Sequence, residues 1–295
     1  MKFDITMVGH ISKDIMIYKE DENRFTGGPV IYSSIAAVRS GKTIRVVTKA
    51  AEEDDLALDV MRDQGVEVIR MDSKATTSIE NIYFTADKER RQVTLLSQAD
   101  YFEVTDFPDC DSRIFHLAGL FRGEIPDDFI PYFAEKGQVA VDAQGLLRCN
   151  DDGELNFRNW DVADKFMPNI TYLKTDAAEA EILTGLSDRE AAAKQLAAQG
   201  AKEVMVTHNK EVLVLVDGEF YRAPYNPSNL SGRTGRGDTT FAAYLAKRLD
   251  AGPEESVYYA AALCSMKMEA PGPFSHCAED VYKRMEEIGF KKVAN

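Results

Sequence analysis

A glycine-rich run in the last third of the chain brings an acid to the start of a helical pattern. Residues 232–238 read Gly-Arg-Thr-Gly-Arg-Gly-Asp, and helical periodicity then continues to Leu249. Glycines let a bound group approach the backbone closely, and the free N–H groups at a helix start attract an anion. The amides of Gly235, Arg236 and Gly237 are therefore expected to stabilise an anion that develops during a reaction.

Asp238 decides what chemistry this loop can perform. The spacing Gly232-x4-Gly237 matches a phosphate-binding P-loop, but Asp238 stands where that loop has its lysine. A carboxylate repels phosphate and accepts a proton, so the run predicts a general base beside an anion site. The alternative interpretation is an N-capped helix that follows a flexible loop.

The segment Thr234–Asp238 resembles the T-G-A-G-D signature of the ribokinase (PfkB) family of carbohydrate kinases. In that family the aspartate deprotonates the acceptor hydroxyl, and the preceding amides form the anion hole for the transferred phosphoryl group. Further segments resemble family motifs in the same order, so the likeness extends over nearly the whole chain. They are residues 8–14, 27–29, 141–148, 176–179 and 206–209.

The resemblance implies an acceptor site formed by the first part of the chain. Asp14 corresponds to the family's substrate-binding aspartate, and Gly27-Gly28 corresponds to its substrate loop. A carboxylate accepts hydrogen bonds from two polyol hydroxyls, and the glycines let a ring or chain lie close. Tyr32 stands where the family usually has asparagine, which disfavours ribose-like recognition and favours another polyol.

A strand end in the middle of the chain adds polar candidates to the substrate site. Asp142, Gln144 and Arg148 follow a D-x-Q-G-x-x-R pattern that resembles the inositol-kinase-like branch of the family. They are expected to contact the substrate or to organise phosphates. Structural roles remain the alternative for Gln144 and Arg148.

The resemblance also implies a nucleotide and magnesium site. Asp176 and Glu179 resemble the N-x-x-E motif of the magnesium-phosphate shell, while Thr207 and Asn209 resemble the V-T-x-G nucleotide strand. Asp176 and Glu179 share one helix face, so they are expected to hold magnesium through water, with a capping pair as the alternative. ATP and Mg²⁺ are the predicted cofactors. The predicted nucleotide-site residues are Asp176, Thr207, Asn209, Thr234, Gly235 and Gly237.

Two departures from the family pattern affect the charged groups of the anion hole. Gly232 replaces an aspartate that helps to bind a monovalent cation in some members, so we expect little dependence on potassium. Arg236 replaces the usual alanine. Its backbone N–H can serve as before, and its side chain either reaches a phosphate or is solvated.

The elements around these residues alternate between short apolar runs and helical patterns. This alternation predicts a doubly wound, mostly parallel α/β sheet with ligands at the carboxyl ends of its strands. The resemblance implies one ribokinase-like domain over residues 1–295. The predicted strands are 44–48, 113–117, 138–142, 170–173 and 203–207, and the predicted helices are 29–40, 53–64, 126–136, 176–183 and 187–199.

Two stretches with period-two alternation interrupt this pattern. They predict a small inserted β lid, with strands within about 12–26 and 75–100 and a charged turn at 87–90. In the resembled family such strands cover the substrate and often form a dimer contact, so a homodimer through the lid is expected. A hairpin without function is the alternative.

Composition narrows the classes of partner. The 295 residues carry a formal net charge of −14, which gives no global support for binding nucleic acid or an anionic membrane. No apolar stretch approaches about 18 residues, so a soluble, cytoplasmic protein with small-molecule partners is expected. The four cysteines and four histidines show no metal-ligand spacing.

The function that we predict is an ATP-dependent kinase acting on a hydroxyl of a sugar or cyclic polyol, with inositol as the first candidate. A nucleoside kinase of the same family is one alternative. A catalytically weak sugar- or nucleotide-sensing protein on this scaffold is another. A nicotinamide dehydrogenase is disfavoured, because only Gly9 follows the first strand where G-x-G-x-x-G would be required.

Overall fold

The computed structural model describes residues 2–84 and 91–291, and the predicted turn at 87–90 lies outside them. The strands of the described residues form two sheets. Their bounds are β1 Phe3–Val8, β2 Ser12–Tyr18, β3 Asp21–Gly27, β4 Ile44–Ala50, β5 Glu67–Asp72, β6 Thr77–Tyr83, β7 Arg91–Ser97, β8 Ser112–Leu117, β9 Gln138–Asp142, β10 Arg148–Asp151, β11 Glu154–Phe157, β12 Tyr172–Asp176, β13 Glu203–Thr207, β14 Glu211–Val216 and β15 Glu219–Pro224.

Helices cover both faces of the larger sheet. The predicted helix at 53–64 is largely a 3₁₀ segment, Glu52–Leu58, followed by one α-helical turn. The α-helices of the described residues are α1 Pro29–Arg39, α2 Asp59–Arg62, α3 Phe129–Ala134, α4 Gln144–Leu147, α5 Ala163–Phe166, α6 Ala177–Thr184, α7 Arg189–Ala198, α8 Arg236–Arg248, α9 Pro253–Met268 and α10 Ala278–Glu287.

The larger sheet has the strand order β15-β14-β13-β12-β9-β8-β1-β4-β5 in the described residues. From β5 to β13 neighbouring strands are parallel, and β14 and β15 add an antiparallel edge. This arrangement confirms the predicted doubly wound α/β class. After β1 the chain adds β4 and β5 on one side of β1, and it later adds β8 on the other side of β1. The carboxyl ends of β1 and β8 therefore flank a topological switch point, where such sheets bind ligands.

The core lies in two layers because successive strand residues face opposite sides of the sheet. Met7 packs with α1, α8 and α9, whereas its neighbour Val8 packs with α3, α6 and α7. Both side chains are fully buried. Strands buried on both faces have continuous apolar sequences, which explains the short apolar runs of the chain. Across the described residues, no helix has both the length and the apolar composition needed to cross a membrane.

The smaller sheet carries the predicted lid strands and has the order β10-β11-β7-β6-β2-β3 in the described residues. Buried and half-buried side chains alternate along β6, as the period-two pattern predicts. The hairpin β10–β11 also belongs to this sheet. It was not predicted from the sequence, because its polar residues show no strand periodicity. A hydrogen bond of 3.2 Å between His10 Nδ1 and Thr77 Oγ1 ties the lid to the end of β1.

Candidate functional site

The glycine-rich loop ends in α8, whose first residue is Arg236. Gly235 has a φ of 76°, and a Cβ at this position would lie 2.3 Å from Cγ of Tyr32. Both observations require glycine. The first N–H groups of a helix have no acceptor within the helix, so the start of α8 can bind an anion. Of these groups, the Arg236 N–H makes a 3.3 Å bond to the Arg233 carbonyl oxygen.

Asp238 lies in the first turn of α8 and is half-buried. Its pKa is raised to about 6, mainly by burial and also by the Asp142 carboxylate, while the ammonium groups of Lys174 and Lys267 oppose the rise. A carboxylate with this pKa is ionised at pH 7 and is more basic than an ordinary aspartate. Asp238 therefore has the environment of a general base.

A buried lysine lies beside the predicted anion hole. Lys174 projects from β12, and its Nζ lies 3.0 Å from Oδ1 of Asp142 and 3.6 Å from Oε2 of Glu179. A Cβ on Gly237 would lie 3.2 Å from the same Nζ. Burial disfavours the charge, but the two carboxylates outweigh it and hold the pKa of Lys174 well above its usual range. The ammonium group thus stays charged beside Gly237.

The predicted acceptor residues lie together on the other side of the same loop. Asp14, on β2, packs against Gly27 so closely that a Cβ there would lie 2.6 Å from Oδ2 of Asp14. Gly28 has a φ of 105° and leaves 2.8 Å between an added Cβ and the His10 carbonyl oxygen. Burial and the charges of Asp14 and Asp238 raise the pKa of Tyr32. The carboxylates of Asp14 and Asp238 therefore both lie close enough to the Tyr32 hydroxyl for their charges to act on it.

The residues predicted at the end of β9 separate into two environments. Asp142 accepts hydrogen bonds from Lys174 and, at 3.1 Å, from the Gln144 N–H, which begins α4. Gln144 thus has a backbone role here. The guanidinium of Arg148 lies 5.5 Å from the centre of the Phe121 ring. The charge of Asp142 thus acts on Asp238, whereas Arg148 begins β10 of the smaller sheet and lies over Phe121.

Asp176 and Glu179 form a capping box at the start of α6. The Asp176 N–H donates to Oε2 of Glu179 at 2.8 Å, and the Glu179 N–H donates to Oδ1 of Asp176 at 2.8 Å. The predicted water-mediated magnesium role stays a prediction. Among residues 2–84 and 91–291, no group of three or more His, Cys, Asp or Glu side chains is arranged to hold a metal ion.

The predicted nucleotide residues lie along the edge formed by β13 and the loop. The hydroxyl of Thr207 is buried and donates to the Thr175 carbonyl oxygen at 3.3 Å. Arg236 donates from its guanidinium to Oδ1 of Asn209 at 2.9 Å, so its side chain crosses from α8 to the turn after β13. Thr234 is exposed, and its carbonyl oxygen accepts from Lys267.

Two lysines at the site, Lys174 and Lys267, were not predicted from the sequence. Both are nearly inaccessible to solvent, with exposed fractions of 5% and 2%. The sequence contained a signal for these lysines, because each one interrupts a run of residues that are otherwise buried. One run is in β12, and the other is at the end of α9. Lysine is seldom fully buried without a partner, so a lysine in such a run marks a charge that the fold must stabilise.

Comparison with known proteins relates this geometry to a family. The model of the pfkB family of carbohydrate kinases matches residues 1–280. A pyrophosphate-dependent kinase of the ribokinase family, solved with a pyrophosphate analogue and myo-inositol, is 35% identical, with a TM-score of 0.87 over 95% of this chain and 99% of that chain. A pyrophosphate-dependent myo-inositol-1 kinase, converted into a myo-inositol-3 kinase by two mutations, is 34% identical, with a TM-score of 0.86 over 97% of this chain and 100% of that chain.

A nucleoside kinase is also among the relatives. The cytidine kinase of Thermococcus kodakarensis is 25% identical over 257 residues, which are 82% of this chain and 87% of that protein. These relatives are all named as kinases, and their names differ in the molecule that is mentioned with the kinase, myo-inositol or cytidine.

Proposed function

The chain belongs to the pfkB family of carbohydrate kinases, and on this premise we propose that it transfers a phosphoryl group from pyrophosphate to a cyclic polyol, with inositol as the first candidate. As a member of the family it is a phosphotransferase with an alcohol acceptor. The observation that carries the proposal is the packing of Tyr32 against Gly235 at the N-terminus of α8, where the charges of both Asp14 and Asp238 act on the Tyr32 hydroxyl. The family match favours a kinase over the sensing protein considered above.

The acceptor side suits a ring that carries several hydroxyl groups. Asp14 can accept hydrogen bonds from adjacent hydroxyls, and Gly27 and Gly28 leave no side chain between the ring and the backbone. Tyr32 is buried and presents an aromatic ring near the same carboxylates. Two kinase structures with 34% and 35% identity are named with myo-inositol, which supports myo-inositol as the first acceptor to test.

Asp238 acts as the general base in the proposed step. It accepts the proton of the acceptor hydroxyl while the oxygen of that hydroxyl forms a bond to phosphorus. The bond from phosphorus to the bridging oxygen breaks, and inorganic phosphate leaves with that electron pair. The amides at the start of α8 and the ammonium of Lys174 stabilise the negative charge on the transferred group.

Pyrophosphate replaces ATP as the favoured donor for two reasons. Three similar structures with 34–36% identity are described as pyrophosphate-dependent. In addition, the guanidinium of Arg236 lies where α8 meets Asn209 of the predicted nucleotide strand. Beside this guanidinium, pyrophosphate would place its terminal, multiply charged phosphate, whereas ATP would continue into its ribose. The positive charge of Arg236 therefore favours pyrophosphate.

Magnesium is the metal proposed to accompany the donor. The carboxylate oxygens of Asp176 and Glu179 are ligands of the type that Mg²⁺ prefers, and they would hold the ion through its bound waters. When bound, magnesium neutralises charge on the phosphate oxygens. The chain itself supplies a second positive charge, the ammonium of Lys174 beside Gly237.

A nucleoside is the second acceptor candidate, and the cytidine kinase relative supports it. The two candidates make different demands on the acceptor site. A nucleoside needs room for a base beyond the sugar, whereas inositol needs only the space around Asp14 and Tyr32. The relative turnover of the two compounds therefore distinguishes them.

The test is an end-point assay of purified protein with every combination of donor and acceptor. The donors are pyrophosphate and ATP at equal magnesium, and the acceptors are inositols, pentoses, hexoses and cytidine. Phosphorus NMR identifies the phosphate ester, and Asp238→Asn protein is the blank. An inositol phosphate formed from pyrophosphate supports the proposal. Turnover with ATP alone would replace the donor, preference for cytidine would replace the acceptor, and no ester above the blank would overturn the proposal.

A further inference from the structure

Lys267 lies at the end of α9, where the glycine-rich loop packs against the helix. Lys267 stands between Met266 and Met268 in the sequence. Its side chain is buried and reaches the loop. The ammonium group donates to the carbonyl oxygens of Gly232 and Thr234. Carbonyl oxygens repel each other when they converge on one point, so a positive charge between them stabilises the loop conformation that brings them together.

The same part of the loop is held to α9 by its backbone. The Gly232 N–H donates to the Met268 carbonyl oxygen at 2.8 Å, and Ser231 Oγ donates to the Glu269 carbonyl oxygen at 2.8 Å. A Cβ on Gly232 would lie 1.8 Å from the carbonyl oxygen of Ala270. Gly232 therefore has no room for a side chain, and the charge that faces the loop carbonyls comes from Lys267.

The surroundings of the ammonium link it to the reacting groups. Its Nζ lies 5.1 Å from the centre of the Tyr32 ring, and that ring packs against Gly235 of the anion hole. The ionisable groups that face Lys267 are Asp238 on α8, Cys264 on α9 and Tyr32 on α1. A charge at this position can therefore hold the loop and act on Asp238.

We propose that Lys267 is a positioning residue whose ammonium serves as a built-in monovalent cation, holding the anion-hole loop in its reactive conformation. This inference rests on the proposed function, because it assigns a role in phosphoryl transfer. It also gives a structural reason for the prediction, made from Gly232, that potassium has little effect on activity. The site needs no free ion, since the chain supplies the charge from α9.

The pH dependence of turnover distinguishes a role of the Lys267 charge from a role of its side-chain volume alone. Burial lowers the pKa of Lys267 to about 8, although the neighbouring Cys264 and Asp238 favour the charged form. Above this pH the ammonium becomes a neutral amine, and the loop carbonyls lose their positive partner. We therefore expect the turnover of the wild-type protein to fall as pH rises through about 8.

The test compares Lys267→Ala, which leaves a cavity, with Lys267→Met, which fills it without charge. Lys283→Met is the control, because it removes an exposed lysine of α10. Turnover is measured in sodium, potassium, ammonium and ethylammonium buffers of equal ionic strength. We expect wild type and control to respond little to the cation. Lys267→Ala should lose about 10²-fold in kcat and recover at least about tenfold with potassium or an ammonium ion, and Lys267→Met should not recover.

Rescue by potassium should also remove the alkaline decline near pH 8, because potassium does not titrate. Wild-type activity in Lys267→Ala would overturn the inference. So would a loss of activity that no cation restores while thermal unfolding shows a folded protein. Binding of methylenediphosphonate, measured by calorimetry with the same variants and cations, provides a readout without turnover. If the wild-type protein binds this analogue but phosphorylates none of the acceptors, the proposed function fails while the role of Lys267 is still tested.

Discussion

Nζ of Lys174 lies 3.0 Å from Oδ1 of Asp142, and the two side chains come from adjacent parallel strands, β12 and β9. This buried pair lies between the start of α6 and the start of α8, because Glu179 is 3.6 Å from the same Nζ and Gly237 packs against it. The ammonium of Lys174 is the member of the pair that lies next to Gly237 of the predicted anion hole. The pair also brings a carboxylate close enough to raise the pKa of Asp238.

Replacement of Asp238 by asparagine should abolish proton acceptance and leave the shape of the site intact. We expect kcat to fall about 10²–10⁴-fold, with donor-analogue binding retained. Because the pKa of Asp238 is raised to about 6, folding favours its protonated form, and this contribution to stability is lost as pH rises through about 6. The melting temperature of the variant at pH 7.5 should therefore not fall below that of the wild type. Asp188→Asn, at the N-cap of α7, is the control. Near wild-type kcat in Asp238→Asn would exclude Asp238 as the base.

The acid side of the pH profile should report the protonation of Asp238. Protonated Asp238 cannot accept the hydroxyl proton, so kcat/KM should rise with pH through about 6. Since the Asp142 carboxylate raises this pKa, Asp142→Asn should move the rise to lower pH. Initial rates from pH 4.5 to 7.5 measure both values. A rise centred near 4 in the wild type would contradict the assigned environment of Asp238.

Loss of the Asp14 carboxylate should weaken the acceptor alone. Asp14→Ala should raise the KM for the polyol at least about tenfold, because two hydrogen bonds to hydroxyl groups are lost. The affinity for a donor analogue should change less than about twofold. Asp21→Ala removes an exposed acid from the adjacent strand β3 and serves as the control. Equal losses for donor and acceptor would remove Asp14 from the acceptor site.

Gly235 and Gly252 both precede helices but differ in what they permit. Gly235→Ala should destabilise the fold by about 1–3 kcal/mol and lower kcat, because φ is 76° and the new Cβ would lie 2.3 Å from Tyr32. Gly252 has a φ of −69° and no atom within 4 Å of an added Cβ, so Gly252→Ala should be neutral or slightly stabilising. Thermal unfolding and turnover of both variants test this contrast. Equal effects would contradict it.

Arg236 should act on the donor. Arg236→Ala should raise the KM for pyrophosphate about tenfold or more while leaving the KM for the acceptor unchanged, because the guanidinium lies on the side of Asn209. Arg113→Ala, which removes an arginine from β8, is the control. An unchanged KM for pyrophosphate would show that the side chain only bridges α8 and Asn209.

Local features of the sequence predicted the fold class and the glycine-rich turn before α8. The apolar runs indicated strands buried on both faces, and β9 and β13 have the predicted bounds. The loop was predictable because its chemistry depends on its own backbone. Gly235 permits the left-handed turn, the start of α8 presents amides, and Asp238 follows within the first helical turn.

The tertiary structure decided the charges around that loop. Lys174 and Lys267 reach it from β12 and α9, and neither has a spacing from Asp238 that a sequence pattern could indicate. The pKa of Asp238 depends on these groups and on burial, both of which arise only when distant segments pack. The sequence predicted ATP as the donor, and the loop by itself could not distinguish ATP from pyrophosphate. Backbone amides bind a phosphate whatever is attached to it. Arg236 belongs to the loop, but only the fold holds its guanidinium against Asn209, and the proposed preference for pyrophosphate rests on that contact.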